Sequence, residues 1–415
     1  MVILLSLALA AASPLTPACE IGAYRGSKGD FVTITERADT AQSREWRYNF
    51  RDGRLGGTKD GKLTCGRNAV TVDGKAWPKI ALRITPTRFP SGDVTLAGQL
   101  IEPPAAKGKK PPLVVTVHGS EQSAWINRSS YPYILAAQGI AVFLYDKRGT
   151  GASGGTYNQN FHKLAADAVA ASAEAKRLAK GRYGRFGLFG GSQGGWVAPR
   201  AANEAGAEFV GVGFGLLINP LEEDAEQVAS DLREAGYGDE AIARAREVTD
   251  ATGALMAAHF ESGYERLTAV KARYGKEPWF ARIKGEFSGD VLASDEATLR
   301  RDGRGKYDNL DIDWRYDAVD HLRQVKAPQL WVVAGEDREA PPLVTIDRLQ
   351  ALRSEGKPIR IVRFPRTDHG MVEFEQAADG SRKTTRVTEG YYRLIADWMK
   401  GEWHPPYGAA EMLAE

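Results

Sequence analysis

Apolar and polar positions change rhythm twice along the chain. Between residues 19 and 102, short β-type runs alternate with turn signals: Phe31-Val32-Thr33-Ile34-Thr35, Trp46-Arg47-Tyr48-Asn49-Phe50, Ala69-Val70-Thr71-Val72 and Ile80-Ala81-Leu82-Arg83-Ile84. Asp52-Gly53 and Asp73-Gly74 fall between runs, and such pairs favour hairpin turns because both residues tolerate positive φ. The pattern predicts a small antiparallel β region over residues 19–102. A stretch punctuated by proline and lysine, 103–112, leads out of it.

After that stretch the pattern changes to strand and helix in alternation, and the first strands are continuously apolar. Leu113–Val117 and Ala141–Tyr145 read as strands buried on both faces, and 186–189, 209–214, Gln329–Ala334 and Ile359–Phe364 continue the series. Helix formers fill 133–138 and 164–178, and a helix over 388–400 closes the chain. Strands alternating with crossover helices predict an α/β fold over 103–220 and 310–405, with a mostly parallel central sheet covered on both faces. Residues 221–309 break the rhythm: 225–235, 240–259 and Tyr264–Tyr274 are charged, alanine-rich and helical in period, with no β run. They predict an inserted helical cap. Its aromatics, Phe260, Tyr264, Tyr274, Trp279 and Phe280, read first as core of that cap and second as the lining of a substrate pocket.

Composition narrows the partners. The chain has 415 residues, 43% hydrophobic and 26% charged, which suits one large or two ordinary globular domains. Fifty-five Lys and Arg against 53 Asp and Glu leave a net charge of +2, too balanced for nucleic-acid binding. Mean hydropathy is −0.37, which argues against a multi-span membrane protein. The opening MVILLSLALAAA, followed by Ser13-Pro14, resembles a secretory signal core and is too short to span a bilayer, although no Lys or Arg accompanies Met1. Residues 1–18 are therefore expected to be a signal peptide, and the protein exported to the periplasm or beyond, without stable membrane insertion. Leu15-Thr16-Pro17-Ala18-Cys19 departs from a lipoprotein box in the place of its leucine and in its proline. Cys19 and Cys65 either close a loop stabilising by about 4 kcal/mol or remain two free thiols. Neither has a companion at CxxC spacing, no histidine cluster suits a metal, and no phosphate-binding glycine motif follows the first sheet strand, so no metal or cofactor is expected.

The chemistry concentrates after the 186–189 strand, where Gly190-Gly191-Ser192-Gln193-Gly194-Gly195 reads G-x-S-x-G between a strand and a helix. A sharp turn there lifts a serine out of the sheet, and the residues two before and two after it have no room for a Cβ. Ser192 is the expected nucleophile. A serine hydroxyl needs a base, and the base needs an orienting carboxylate. Of six histidines, His369 alone stands in a glycine-flanked loop directly after the last strand. His118 reads as a brace of its turn. Asp337 in Gly335-Glu336-Asp337 is the first choice of carboxylate, Glu336 the second and Asp368 the third. The developing oxyanion needs preorganised donors. Gln193 N–H is one, and the other comes from His118-Gly119-Ser120-Glu121, with Ser120 N–H preferred to Glu121 N–H.

Together, His118-Gly119-Ser120, Asp146-Lys147-Arg148-Gly149-Thr150-Gly151, the serine turn, Gly335-Glu336-Asp337 and Asp368-His369-Gly370 resemble the α/β-hydrolase superfamily. More narrowly they resemble secreted bacterial esterases of the dienelactone-hydrolase and prolyl-oligopeptidase-like branch. The resemblance spans about residues 95–400 and includes the cap. It implies the α/β-hydrolase fold and a serine hydrolase that cleaves carboxylic esters through an acyl-enzyme. The order Ser192, Asp337, His369 is that of the superfamily. Glu121 is a departure, since relatives often carry glycine there, and a carboxylate pointing inward would oppose anionic acyl groups. Asp146 and Arg148 read as an ion-paired scaffold.

Two other readings stand beside the esterase. One is a prolyl-oligopeptidase-like peptidase, whose substrate amine would need an acidic anchor; Glu222-Glu223 presents itself but reads as a solvated helix start. The other is a hydrolase fold that only binds ligands. The expected partner is thus a small-molecule ester, or a peptide; the oligomeric state is not readable from the sequence.

Overall fold

The computed structural model describes residues 19–40, 43–105 and 108–413, so the expected signal segment, 1–18, lies outside the described residues. The leading β region consists of two small antiparallel sheets. β1 (Gly22–Arg25), β2 (Phe31–Thr40), β3 (Ser43–Phe50) and β4 (Leu55–Gly57) form one; β5 (Leu63–Gly66), β6 (Ala69–Val72) and β7 (Lys75–Pro78) form the other. Asp73 and Gly74, between β6 and β7, have φ of 49° and 73°, as a two-residue type I′ turn requires. Tyr24, Ile34, Tyr48, Phe50, Val70 and Trp77 share one buried cluster. Cys19 and Cys65 belong to it and form a disulfide.

The large sheet starts earlier than composition suggests. β8 (Arg83–Ser91) and β9 (Val94–Glu102) pair with each other, and β9 continues into the central sheet, so the expected boundary at residue 102 moves back to about 83. Only the end of the expected 80–84 run is strand. Pro86 and Pro90 hide β8 in the sequence, because each removes a ladder donor; a sheet edge tolerates that loss, and β8 is the edge.

The remaining strands of this nine-stranded sheet are β10 (Leu113–Val117), β11 (Ala141–Tyr145), β12 (Phe186–Gly191), β13 (Phe209–Gly213), β14 (Gln329–Ala334) and β15 (Ile359–Phe364). A hairpin, β16 (Val372–Gln376) and β17 (Arg382–Val387), follows, and β18 (Glu411–Met412) ends the described chain. The order is β18-β15-β14-β13-β12-β10-β11-β9-β8; β10 to β15 run parallel, and the flanking strands antiparallel. Because β10 lies between β11 and β12, the chain leaves it first to one side and then to the other. Loops at such a switch point diverge and leave a crevice at the carboxyl ends of the strands.

Helices cover both faces. α1 (Tyr131–Ala137) and α11 (Tyr391–Lys400) lie on one; α2 (Phe161–Leu178), α3 (Gly194–Ala202), α9 (Ala318–Arg323) and α10 (Pro342–Ser354) lie on the other. Between β13 and β14 stand α4 (Pro220–Glu234), α5 (Asp239–Ala257), α6 (Tyr264–Tyr274), α7 (Ser288–Ala293) and α8 (Glu296–Tyr307), with a buried cluster of their own. Phe260, Tyr264, Tyr274 and Trp279 are in that cluster. None of the described helices is long and apolar enough to cross a membrane.

The disulfide closes a loop with a sequence separation of 46. Loop-closure entropy then assigns it about 4 kcal/mol. Reduction, or Cys65→Ser, is expected to lower the unfolding free energy by roughly 2–4 kcal/mol, read from urea melts followed by tryptophan emission.

Candidate active site

Three glycines explain how the serine turn is held. A Cβ at Gly190 would stand 2.5 Å from the Gly194 carbonyl oxygen, one at Gly191 would stand 2.6 Å from the Phe214 ring, and one at Gly194 would stand 3.0 Å from the Val117 carbonyl oxygen. The chain therefore passes from β12 into α3 against the end of β10, with nothing between the backbones. Ser192 adopts φ 52°, a left-handed conformation that costs a non-glycine residue of order 1–3 kcal/mol and persists only where its surroundings impose it. Its amide donates to the Gly213 carbonyl at 3.1 Å. Gln193 opens α3, and no acceptor among the described residues takes its backbone N–H.

The loops after β14 and β15 supply the other two groups. Asp337 is 3% exposed and its Oδ1 accepts from the amides of Glu339 and Ala340 at 3.0 and 2.7 Å. Its Oδ2 lies 3.0 Å from His369 Nδ1, and Oδ1 lies 3.2 Å away. Glu336 lies 3.7 Å from Arg382 instead, and Asp368 pairs with Arg382 at 2.8 Å while accepting the Arg338 amide at 3.0 Å. Asp337 alone of the three orients the imidazole. Ser192 and His369 line one cavity of about 310 Å³, together with Ser120 and Glu121. No hydrogen bond joins Ser192 to His369 among the described contacts; in substrate-free enzymes such bonds are often long and tighten when substrate arrives.

Electrostatics follow from these neighbours. Burial would lower the His369 pKa, but the Asp337 hydrogen bond and the charges of Asp337, Glu339 and Asp368 outweigh it and hold it above the ordinary value. Burial pushes Asp337 up, against the opposing pull of His369. Glu339, unremarked in the sequence, faces His369 Nε2 at 3.5 Å, and burial raises its own pKa. Glu222 and Glu223 divide: Glu222 caps α4 and pairs with Arg348 at 2.5 Å, whereas burial and the carboxylates of Glu286, Glu339, Asp224 and Asp337 push Glu223 well above the carboxylate range. Both stand in the first turn of α4, as expected, and both are only partly exposed.

The cavity wall was the part least legible in sequence. Trp125, Tyr131, Phe189 and Phe214 form its apolar side, and none of the cap aromatics reaches it. Glu121 does point to it, accepting from Trp125 Nε1. His118 stacks on Trp125 at 4.2 Å between centroids and meets the Tyr145 carbonyl through Nε2, so it braces the turn. Asp146 and Arg148 do not pair with each other: Asp146 accepts from the amides of Trp125, Ile126 and Ala152, and Arg148 clasps Asp167 through two 2.7 Å bonds. Asp397, Glu402 and His404, distant in role from this cavity, bring three possible ligand atoms within 4.8 Å of one another near the chain's end, a cluster the sequence did not suggest.

A model of one protein family matches residues 114–380, more than half of the chain, and its description is the alpha/beta hydrolase family. The chain belongs to the alpha/beta hydrolase family. It is accordingly a hydrolase by family, and the nine-stranded, mostly parallel sheet is the α/β-hydrolase fold. Solved structures similar to this hydrolase include an acylaminoacyl peptidase of Pyrococcus horikoshii, at 16% identity and TM-score 0.48, covering 94% of this chain and 52% of that one. This chain thus spans about half the length of that peptidase. An esterase of Pyrococcus furiosus (14% identity, TM-score 0.41) covers 70% of this chain and 85% of its own. A proline iminopeptidase of Mycobacterium smegmatis (21%, TM-score 0.41) covers 69% and 91%. No curated protein matches the sequence.

The collision at Gly190 makes a sharp prediction. Gly190→Ala is expected to cost about 1–3 kcal/mol through overpacking. Gly305→Ala, in α8 where a Cβ meets nothing within 4 Å, is expected to stabilise by up to about 1 kcal/mol. Thermal melts of the two variants against wild type check the pair.

Proposed function

We propose that this protein is a serine hydrolase that cleaves carboxylic esters through an acyl-enzyme. The observation that carries the reading is the meeting, in one largely apolar cavity, of a left-handed Ser192 and a His369 held by the buried carboxylate of Asp337. In this reading His369 Nε2 takes the Ser192 proton as Oγ attacks the ester carbonyl, and Asp337 keeps the proton on Nδ1 and stabilises the imidazolium. The backbone N–H groups of Gln193 and Ser120 receive the developing oxyanion. Collapse expels the alcohol, protonated by His369, and a water activated by the same imidazole releases the acid.

Trp125, Tyr131, Phe189 and Phe214 suit a compact apolar or aromatic acyl group, and the carboxylates of Glu121 and Glu339 on the wall disfavour an anionic one. The helices of 221–309 act in this reading as a cap over the crevice. The apolar leader and the Cys19–Cys65 disulfide support export to an oxidising compartment.

A fluorophosphonate probe is expected to label wild type and to spare Ser192→Ala; equal labelling of both would remove the assignment. Hydrolysis of short p-nitrophenyl esters with aminoacyl anilides left intact identifies an esterase, the reverse identifies a peptidase, and neither activity nor labelling leaves a ligand-binding fold. The pH profile supplies a second test. The base must be neutral, so kcat/KM is expected to rise with pH through a midpoint above about 6.5, the ordinary imidazole value. Glu339→Gln removes a charge that favours imidazolium, and the midpoint should move down.

A further inference from the structure

Lys147 takes no part in the triad, yet it is 1% exposed at the carboxyl end of β11. Burying an ammonium is costly unless its charge is put to use. Nζ donates to the Gly119 carbonyl oxygen at 2.7 Å and stands 5.0 Å from the Tyr157 ring centroid. No ion pair holds it among the described residues. Gly119 C=O and Ser120 N–H belong to one peptide unit. That unit is trans, so the two bonds point in opposite directions. A cation fastened to the oxygen turns the N–H away from itself. No acceptor among the described residues takes that N–H, and Ser120 lines the cavity that Ser192 enters. The next peptide is held the same way, for Tyr157 OH donates to the Ser120 carbonyl.

We propose that Lys147 is a positioning residue for the oxyanion site: its ammonium fixes the Gly119–Ser120 peptide and polarises it, strengthening Ser120 N–H as a donor to the developing negative oxygen. The inference rests on the serine-hydrolase reading above. Its logic is that of a preorganised dipole, which gains nothing in the ground state and acts where charge appears. Burial lowers the Lys147 pKa to about 8, partly countered by Glu121; His118 and the Tyr157 ring are the other groups that face it. The positive charge is therefore present below about pH 8 and is lost above it.

The sign for stability is opposite to the sign for activity. An unfolded lysine titrates near 10.4, so between about pH 8 and 10 the unfolded chain binds more protons at this position, and Lys147 becomes less unfavourable to the folded state as pH rises. A purely structural lysine would move activity and stability together.

The test compares wild type, Lys147→Met and Lys147→Arg on p-nitrophenyl acetate, read at the isosbestic wavelength from pH 6 to 10, with melting temperatures measured in parallel. Wild-type kcat is expected to fall as pH passes through about 8 while its melting temperature gains on that of Lys147→Met. Lys147→Met is expected to lose about 10- to 100-fold in kcat with little change in KM, and to lack the bend near pH 8. Lys147→Arg, whose guanidinium keeps its proton throughout, should recover part of kcat and also lack the bend. A kcat for Lys147→Met within twofold of wild type, a bend that survives in it, or a loss confined to KM would overturn the proposal. Should Lys147→Met melt below the assay temperature, the wild-type profile decides, and a flat alkaline limb overturns the proposal. Wild type that neither hydrolyses nor takes up the fluorophosphonate would remove the hydrolase reading and this inference together, an outcome distinct from failure of the lysine alone.

Discussion

The site depends on one steric constraint: the passage of the β12–α3 turn so close to the end of β10 that its glycines have no room for side chains. Parallel pairing of Val117 with Gly190 brings the strands level, and the carbonyls of Val117 and His118 then crowd Gly194. With no Cβ available to relax the bend, Ser192 is driven to positive φ and its hydroxyl stands clear of the sheet. The same closeness sets the Gly119–Ser120 peptide beside it: a Cβ built on Gly119 would lie 3.7 Å from the Ser192 Cβ. The Ser192 turn and the Gly119–Ser120 loop are thus neighbours because β10 and β12 are neighbours.

Around that turn the charges are arranged at a cost in stability. Asp337 is buried against His369, Glu223 is crowded by other carboxylates, and Lys147 is sunk below the Gly119–Ser120 peptide, each shifted toward its neutral form by loss of water. None of these placements stabilises a fold. They are the pattern expected where a protein holds groups for chemistry rather than for packing, since strongly perturbed titratable groups cluster at functional sites. Surface ion pairs such as Arg323 with Glu355 are, by contrast, of small energetic consequence.

Much of this was legible from residue order. Continuous apolar runs announced β10, β11 and β14 because strands covered on both faces have almost no polar side to display. The glycines about Ser192 announced the turn because no other residue fits. Strands β8 and β9 were not legible, since edge prolines and a glycine disguise a pairing that depends on what lies beside it. Glu339 and the Lys147 brace were not legible for a similar reason: each acts on a group far away in sequence, and nothing local distinguishes a glutamate facing an imidazole from one facing water.

What the order of residues settled by itself was local: which segments must be buried, where the chain must bend, and which residue types stand at those bends. Those follow from side-chain volume, backbone freedom and the obligation to pair peptide groups, all of which act over a few positions. Tertiary structure alone decided which carboxylate of Glu336, Asp337 and Asp368 reaches His369, because two adjacent loops offer three acids and only the path of β14 and β15 selects one. It likewise decided that the cavity is walled by Trp125, Tyr131 and Phe214 rather than by the aromatics of the cap, which bury one another. Proximity across tens or hundreds of residues is a product of the whole packed chain, and no short stretch of it carries that information.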